Sequence, residues 1–234
     1  MLLAVDTSTA HIGLALFDGD RIIGEMHWLG RHHHTVELAP AVSELLQRTG
    51  AGMDDVRALG VAIGPGSFTS LRVGLAFVKG LALARHVPLF GLPTLDVVAA
   101  AQEVRDLPLA AVLQAGRGRL ALAWYQAVDG AWQSHGEPQV TTVDELAEGI
   151  HSPTIVCGEL TGEERQRLAR KRVNVQLASP AQCVRRPAIL AELAWKRWSP
   201  SPFGDFAGMI QAGAGDDAAT LAPIYLHVAN PIPS

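Results

Sequence analysis

A short polar run that carries one carboxylate and three hydroxyls follows the first apolar segment of the chain. The run consists of Asp6, Thr7, Ser8 and Thr9. Hydroxyl groups and the N–H groups of a loop can together hold a phosphate. The same side chains are also typical of a turn between two strands, where they cap backbone groups. Both interpretations are open, and these four residues are candidate phosphate-binding residues.

A glycine-rich stretch, Gly64–Gly74, follows the apolar strand predicted over Leu59–Ile63. A long predicted helix begins within it and runs from about Thr69 to about Arg85. Ser67 precedes this helix, and a helix N-terminus offers unpaired N–H groups to an anion. No lysine followed by Ser or Thr stands at the spacing of a Walker loop. Ser67 is therefore a fifth candidate phosphate-binding residue, outside any P-loop pattern.

Three consecutive histidines, His32–His34, precede the first predicted helix. In an extended loop alternate side chains point to opposite sides, so at most His32 and His34 can share an ion. A zinc site needs further ligands, and none stands at a convincing spacing. We therefore predict a solvated loop here and no metal site in the chain.

Basic residues concentrate in the second half of the chain. They are Arg165, Arg167, Arg170, Lys171, Arg172, Arg185 and Arg186. A basic helix face can contact RNA phosphates. Glu163 and Glu164 accompany these cations, however, and no aromatic side chains for base stacking are interleaved with them. The pattern favours a solvated helix face over a nucleic-acid site.

The composition sets limits on the class of protein. The chain has 234 residues, of which 48% are hydrophobic and 18% are charged, and its net charge is −4. A negative net charge is not typical of a protein that binds nucleic acids over its whole surface. Two cysteines without metal or redox spacing indicate a reduced, cytoplasmic protein. We expect no signal peptide, because the chain opens directly on a strand. We expect no membrane span, because charges or prolines interrupt the apolar stretches.

The predicted elements follow the order βββαβαβα, and that order occurs twice. The sequence therefore predicts an α/β fold with two similar lobes, residues 1–103 and residues 104–198. Residues 199–234 form a Pro- and Gly-rich tail, predicted to be loose apart from a terminal anchoring segment around Tyr225. A duplicated unit of this kind resembles the plan of the actin-like ATPases, whose lobes are ribonuclease H-like.

The long helix is apolar on nearly all sides. Its residues form one stripe of Leu71, Leu75, Val78 and Ala82, a second of Val73, Phe77 and Leu81, and a row of small residues, Ala76, Gly80 and Ala84. A helix that is apolar nearly all round is buried on more than one side. We expect a sheet of this chain on one side and another protein on the other.

Four motifs resemble the TsaB (YeaZ) family of tRNA threonylcarbamoyladenosine biosynthesis proteins. They are Asp6–Thr9, His34-Thr35 with Leu38–Pro40, Gly64–Gly74, and Pro223–Leu226. They stand in the family's order, and Gly64–Gly74 is the specific one. The resemblance implies a two-lobed actin-like fold and a paralogue of TsaD, the catalytic transferase of the same tRNA modification.

Three positions depart from the pattern of a catalytic relative. TsaD carries a His-x-x-x-His metal pair, and the resemblance places Thr94 and Val98 at those positions. In the second lobe, Gln114 stands where a nucleotide-binding actin-like protein has an Asp, and a neutral amide is a weaker metal ligand than a carboxylate. The resemblance therefore implies a non-catalytic subunit without a cofactor of its own. ATP or ADP and metal are expected in the TsaD partner or at the interface.

The implied function is to dimerise with TsaD and support it. TsaD adds the threonylcarbamoyl group to the adenosine next to the anticodon of tRNAs that read codons starting with A. The resemblance further implies a TsaE-like ATPase in the complex, indirect contact with tRNA, and a homodimer when the chain is alone. The predicted interface residues are Val36, Leu38, Val42, Leu45, Leu71, Val73, Ala76, Phe77, Gly80, Leu81 and Ala84. The alternative is an actin-like ATPase or phosphotransferase with a degenerate nucleotide site built on Asp6, Thr7 and Gly158.

Overall fold

The computed structural model describes residues 1–30, 34–171, 173–198 and 215–226. Contacts divide the chain into two compact units. Unit 1 comprises Met1–Thr94 and Arg186–Pro223, and unit 2 comprises Leu95–Arg185 and Ile224–Ser234. Each unit contains one five-stranded sheet.

The elements follow the predicted order βββαβαβα twice, which confirms the duplicated α/β plan. The first series is β1 (Leu2–Asp6), β2 (His11–Phe17), β3 (Ile22–Leu29), α1 (His34–Thr49), β4 (Ala58–Ala62), α2 (Phe68–Arg85), β5 (Leu89–Leu92) and α3 (Thr94–Ala100). The second series is β6 (Leu109–Gly116), β7 (Arg119–Val128), β8 (Ala131–Thr141), α4 (Val143–Gly149), β9 (Thr154–Gly158), α5 (Gly162–Ala169), β10 (Val175–Leu177) and α6 (Pro187–Trp198).

The sheet of unit 1 has the strand order β3-β2-β1-β4-β5. The pairs β1–β2 and β2–β3 are antiparallel, whereas β1–β4 and β4–β5 are parallel. Because side chains alternate along a strand, each strand offers one set to each face of the sheet. Leu3, Leu14 and Val61 face the core that α1 and α2 complete.

Small residues lie on the opposite face of this sheet, where α6 packs. A Cβ atom on Gly60 would lie 2.7 Å from the Cβ atom of Ala194, and one on Gly13 would lie 3.2 Å from Pro187. The absence of a side chain at these two positions lets α6 approach the sheet backbone closely.

The sheet of unit 2 has the order β10-β9-β6-β7-β8. Leu146 of α4 and Leu168 of α5 pack on one face of it, and Leu95 and Val98 of α3 pack on the other. Both α4 and α5 begin with capping boxes, formed by Thr142 with Glu145 and by Thr161 with Glu164. Both boxes have the Thr-x-x-Glu spacing that is typical of this cap.

The residue ranges of the two units differ from those of the predicted lobes. The prediction placed α3 in a first lobe of residues 1–103 and α6 in a second lobe of 104–198. In the structure α6 belongs to unit 1, and α3 from Leu95 onwards belongs to unit 2. An amphipathic pattern indicates that a helix buries one face, but not which sheet covers it.

The tail contributes to both units at its described positions. Leu221 packs against the core of unit 1, and Leu226 packs against the core of unit 2. The other tail residues, 199–214 and 227–234, lie outside the described residues, as do His32, His33 and Arg172. No helix among the described residues has the length and apolar character needed to span a membrane.

Candidate functional site

The turn after β1 directs its polar groups into the protein. Asp6, Thr7, Ser8 and Thr9 are all buried, with at most 6% of their surface exposed. Asp6 Oδ1 accepts a hydrogen bond from the Ser8 N–H group at 2.8 Å, and the Thr7 hydroxyl donates to the Ser70 carbonyl at 2.8 Å. The Asp6–Ser8 bond lies within the turn, as turn chemistry predicts. The Thr7–Ser70 bond joins the turn to α2.

Thr94 is the hub of this polar cluster. Its Oγ1 atom lies 2.8 Å from the Ser8 hydroxyl and accepts a hydrogen bond from the Gly64 N–H group at 3.0 Å. The cluster therefore ties the segments that follow β1 and β4 to the first residue of α3. It satisfies groups that would be costly to bury unpaired.

The glycines of the Gly64–Gly74 stretch bring α2 against the same turn. A Cβ atom on Gly66 would lie 2.1 Å from the Ser8 carbonyl oxygen, and one on Gly74 would lie 2.1 Å from Thr7 Oγ1. The Ser67 N–H group donates to the Ser8 carbonyl at 2.6 Å. These close approaches explain why glycine is required at both positions.

Ser67 itself is exposed and is the N-cap of α2, where its hydroxyl accepts a hydrogen bond from the Ser70 N–H group. The structure thus brings the five candidate phosphate-binding residues together at one turn. The observed bonds of Asp6, Thr7 and Ser8 fit the turn-capping interpretation. A phosphate-binding role stays a prediction.

The two positions to which the resemblance assigns the metal pair of TsaD carry no histidine. Thr94 and Val98 are both buried, and Val98 packs in the apolar core of unit 2. His34 Nε2 lies 3.1 Å from the Thr9 carbonyl oxygen. Across the described residues, no group of three or more His, Cys, Asp or Glu side chains is placed to hold a metal ion.

Gln114, at the end of β6, belongs to the network that caps α5. Its Nε2 group donates to Glu164 Oε2 at 2.7 Å and to the Glu159 carbonyl at 3.3 Å. Glu164 Oε2 also accepts from the Thr161 N–H group at 2.7 Å. The Glu159 carboxylate binds the buried Arg185 at 2.6 Å. Both carboxylates near Gln114 are therefore engaged within unit 2.

Four residues of the basic cluster are bonded to groups of this chain. Arg165 donates to the Ala178 carbonyl at 2.5 Å, and Arg186 pairs with Glu25. Arg167 bridges Asp144 and Glu163 at 2.7 and 3.0 Å. Arg185 binds Glu159, as described above. Arg185 is buried and therefore lies outside any solvated face. The choice between a solvated helix face and a nucleic-acid site stays a prediction.

The interface prediction is wrong for four residues, because they are buried inside this chain. Leu38, Val42, Leu45 and Leu71 are at most 2% exposed and belong to the core of unit 1. Their apolar stripes face the sheet of this chain, so they cannot contact a partner. The helical period identified the stripes but not the direction each one faces.

The other predicted interface residues lie at or near the surface. Val36 is 62% exposed on α1. Ala76, Gly80 and Ala84 are exposed on α2, and Val73, Phe77 and Leu81 are half-buried. Their contact with a partner stays a prediction.

The structure adds two exposed apolar side chains that the sequence analysis missed, Phe68 at 53% and Leu83 at 68% exposure. Together with Arg72, Ala76 and Gly80 they form the outer face of α2. The spacing of residues 72, 76, 80 and 83 is a helical repeat and contained the signal. The Arg72 guanidinium lies 3.6 Å from the centroid of the Phe68 ring. This stacking holds the ring at the surface.

A groove of about 500 Å³ lies between the start of α1 and α2. Its lining is mostly apolar and includes Thr35, Phe68, Val73 and Phe77. The outer face of α2 and this groove are adjacent, since Phe68, Arg72 and Ala76 belong to both.

Known proteins decide the family. A family model described as "TsaD: tRNA N6-adenosine threonylcarbamoyltransferase" matches residues 29–195. The tRNA threonylcarbamoyladenosine biosynthesis protein TsaB of Escherichia coli (strain K12) is 34% identical over 168 residues, which are 69% of this chain and 68% of that protein. The chain belongs to the TsaB family.

Two further relatives support this membership. TsaB of Bacillus subtilis (strain 168) is 33% identical over 129 residues, and the match spans only 56% of that relative's length. The solved structure of YeaZ from Pseudomonas aeruginosa superposes with a TM-score of 0.71 at 26% identity, covering 96% of this chain and 99% of that one. The duplicated α/β plan and this likeness confirm the predicted actin-like, two-lobe fold.

Proposed function

We propose that this TsaB-family chain is a non-catalytic subunit in tRNA threonylcarbamoyladenosine biosynthesis, and that it binds and supports a TsaD-type transferase. Its relatives are named for that modification. The observation that carries the proposal is the outer face of α2, a helix surface of small and apolar side chains exposed to solvent. Surfaces of this kind on soluble proteins commonly bind partners.

The residue types on this face suit the packing of a second helix. Ala76 and Gly80 have little or no side chain, so a partner helix can approach the α2 backbone closely. Phe68 and Leu83 flank them and supply apolar area to bury, which aromatic side chains do efficiently at interfaces. Val36 is a further exposed apolar side chain, on α1.

The non-catalytic part of the proposal rests on side-chain chemistry. Thr94 and Val98 stand where the TsaD resemblance calls for a histidine pair, and Gln114 is an amide where the nucleotide-binding class has a carboxylate. The hydroxyls of Thr7 and Ser8 are bonded within the protein. In this proposal the transferred group, the nucleotide and the metal are handled by the partner or at its interface.

In this proposal the outer face of α2 also mediates self-association. When the chain is alone, α2 pairs with α2 of a second copy, so self-association and TsaD binding exclude each other. A TsaE-like ATPase and the tRNA join through the complex. The chain then contacts tRNA only indirectly.

The substitution Gly80→Leu tests the proposal. Among the described residues, no heavy atom other than those of its own helix and chain neighbours lies within 4 Å of a Cβ atom built on Gly80, so an added side chain starts in open space. Leucine also favours a helix over glycine, so the variant remains folded. We expect it to lose self-association in light scattering and to lose binding to a purified TsaD-type protein.

Gly149→Leu in α4 is the matched control. It makes the same change at the last residue of a helix of unit 2, again with no described atom within 4 Å of the added Cβ apart from its own helix and chain neighbours. It should bind and self-associate like the parent chain. If Gly80→Leu stays folded and still binds the transferase normally, the proposed face is not the interface.

A further inference from the structure

The outward edge of β5 is covered by a later segment of the same chain. The Pro88 carbonyl accepts a hydrogen bond from the Leu59 N–H group of β4 at 2.9 Å. The Leu92 carbonyl accepts one from the N–H group of Ile63, the residue after β4, also at 2.9 Å. In a parallel ladder, alternate residues of a strand bond to the same neighbour. The backbone groups of Leu89 and Gly91 therefore point away from β4, to the outer edge of the sheet.

Asp216 and Arg197 occupy that edge. The Asp216 N–H group donates to the Leu89 carbonyl at 2.7 Å, and the Gly91 N–H group donates to Asp216 Oδ2 at 2.6 Å. The Arg197 guanidinium donates to the Gly91 carbonyl at 2.7 Å and also binds the Asp216 carboxylate at 2.6 Å. Two side chains thus supply bonds that the backbone of a sixth strand would supply.

A turn then returns the chain onto the same strand. The Leu221 N–H group donates to the Asp217 carbonyl at 2.8 Å. Leu221 consequently packs against the core of unit 1 beside Gly91, and a Cβ atom on Gly91 would lie 2.8 Å from Leu221 Cδ1. We call Gly215–Leu221 the strap. The strap contacts β5 through one backbone hydrogen bond, the Asp216 carboxylate and the apolar side chain of Leu221.

We propose that the β5 edge with Arg197 is a docking site for an acidic segment of this kind, and that the strap of a second copy can occupy it in trans. Exposed strand edges bind added segments through main-chain bonds, and identical protomers can exchange such elements. The 16 residues from 199 to 214 join α6 to the strap. A chain of that length can span roughly 55 Å, far enough to reach another molecule.

Hydrogen exchange on the full-length Asp216→Ala variant tests this site. Loss of the carboxylate removes the acceptor of the Gly91 N–H group and the partner of Arg197. We expect exchange of the Gly91 N–H group to rise about tenfold or more, because bonds to a charged group are the stronger ones. Exchange in β1 and β4 should not change. Asp106→Ala, an exposed carboxylate in unit 2, is the matched control.

The trans step is tested by adding a synthetic peptide of residues 215–221 to Asp216→Ala. The peptide should restore protection of the Gly91 N–H group, and a peptide with Ala in place of the first Asp should not. Unchanged exchange in the variant, or a rise that the peptide fails to reverse, overturns the proposal. If β1 and β4 also exchange faster, Asp216→Asn replaces the variant, since it keeps an acceptor oxygen while losing the ion pair. Gly80→Leu in the same chain removes association through α2, so the two proposals are tested separately.

Discussion

The hydroxyls of Ser8 and Thr94 lie 2.8 Å apart, in a site where both residues are completely buried. They are 86 residues apart in the chain and stand after β1 and at the start of α3. The pair shows that a run with the composition of a phosphate cradle also serves to join elements of unit 1. The contribution of this pair to the free energy of unfolding can be measured directly.

We expect Ser8→Ala to lower the free energy of unfolding by about 1–3 kcal/mol, because Thr94 loses a buried hydrogen-bond partner. Ser43→Ala, at an exposed position of α1, is the control and should change it by about 0.5 kcal/mol or less. Urea titration of both variants measures the difference. Equal effects would show that the buried pair adds nothing to stability.

Two glycines of α2 should respond to alanine in opposite directions. Gly74→Ala places a Cβ atom 2.1 Å from the buried Thr7 Oγ1, so we expect a loss of about 1–3 kcal/mol through overpacking. Gly80→Ala meets no described atom within 4 Å and should gain up to about 1 kcal/mol from helix propensity. Denaturant unfolding at low protein concentration compares the two. A stable Gly74→Ala variant would contradict the close packing of α2 on the first turn.

The pKa of Tyr125 provides a test at high pH. Burial, and secondly the Asp96 carboxylate to which its hydroxyl donates at 2.7 Å, raise the pKa of Tyr125 far above its usual value of about 10. The unfolded chain therefore loses this proton first as the pH rises. The contribution to stability is complete below about pH 10 and is lost above it.

The chain has two tyrosines, so in Tyr225→Phe the tyrosinate absorbance reports Tyr125 alone. We expect no tyrosinate above pH 10 until the protein unfolds. Tyr125→Phe should remove this part of the alkaline loss of stability. Titration of Tyr125 near pH 10 in the folded chain would contradict the burial of its hydroxyl.

Calorimetry with ATP and Mg²⁺ separates the proposed function from an ATPase or phosphotransferase. We expect no micromolar binding by the isolated chain, since Thr7 and Ser8 are bonded internally and Gln114 replaces a carboxylate. Asp6→Asn is the matched variant. Micromolar binding that Asp6→Asn abolishes would favour the alternative.

The order of the elements could be predicted because local signals mark each of them. Short, continuous apolar runs identify the buried strands, and Thr-x-x-Glu identifies the starts of α4 and α5. Asp6 and Ser67 are predicted only as separate candidates, and the structure brings Ser67 to the turn after β1 through the bond from its N–H group to the Ser8 carbonyl. These signals operate over a few residues, which is the range that a sequence pattern reports.

Longer-range relationships could not be predicted in the same way. Leu71 and Ala76 are both apolar helix residues, but only the folded sheet determines that the first is buried and the second exposed. Asp216 gives no periodic signal at all. Its partners are Gly91, 125 residues earlier, and Arg197, 19 residues earlier, so its role follows from tertiary structure alone.

The position of α6 has a consequence for biosynthesis. The ribosome completes the strands of the first sheet early, yet the helix that covers their small-residue face emerges only after all the strands of unit 2. Until then Gly13 and Gly60 lack Pro187 and Ala194 above them, and the nascent sheet has one bare face open to chaperones or to aggregation. A chain that terminates before Pro187 would lose the cover of unit 1, although every strand of that unit has been made.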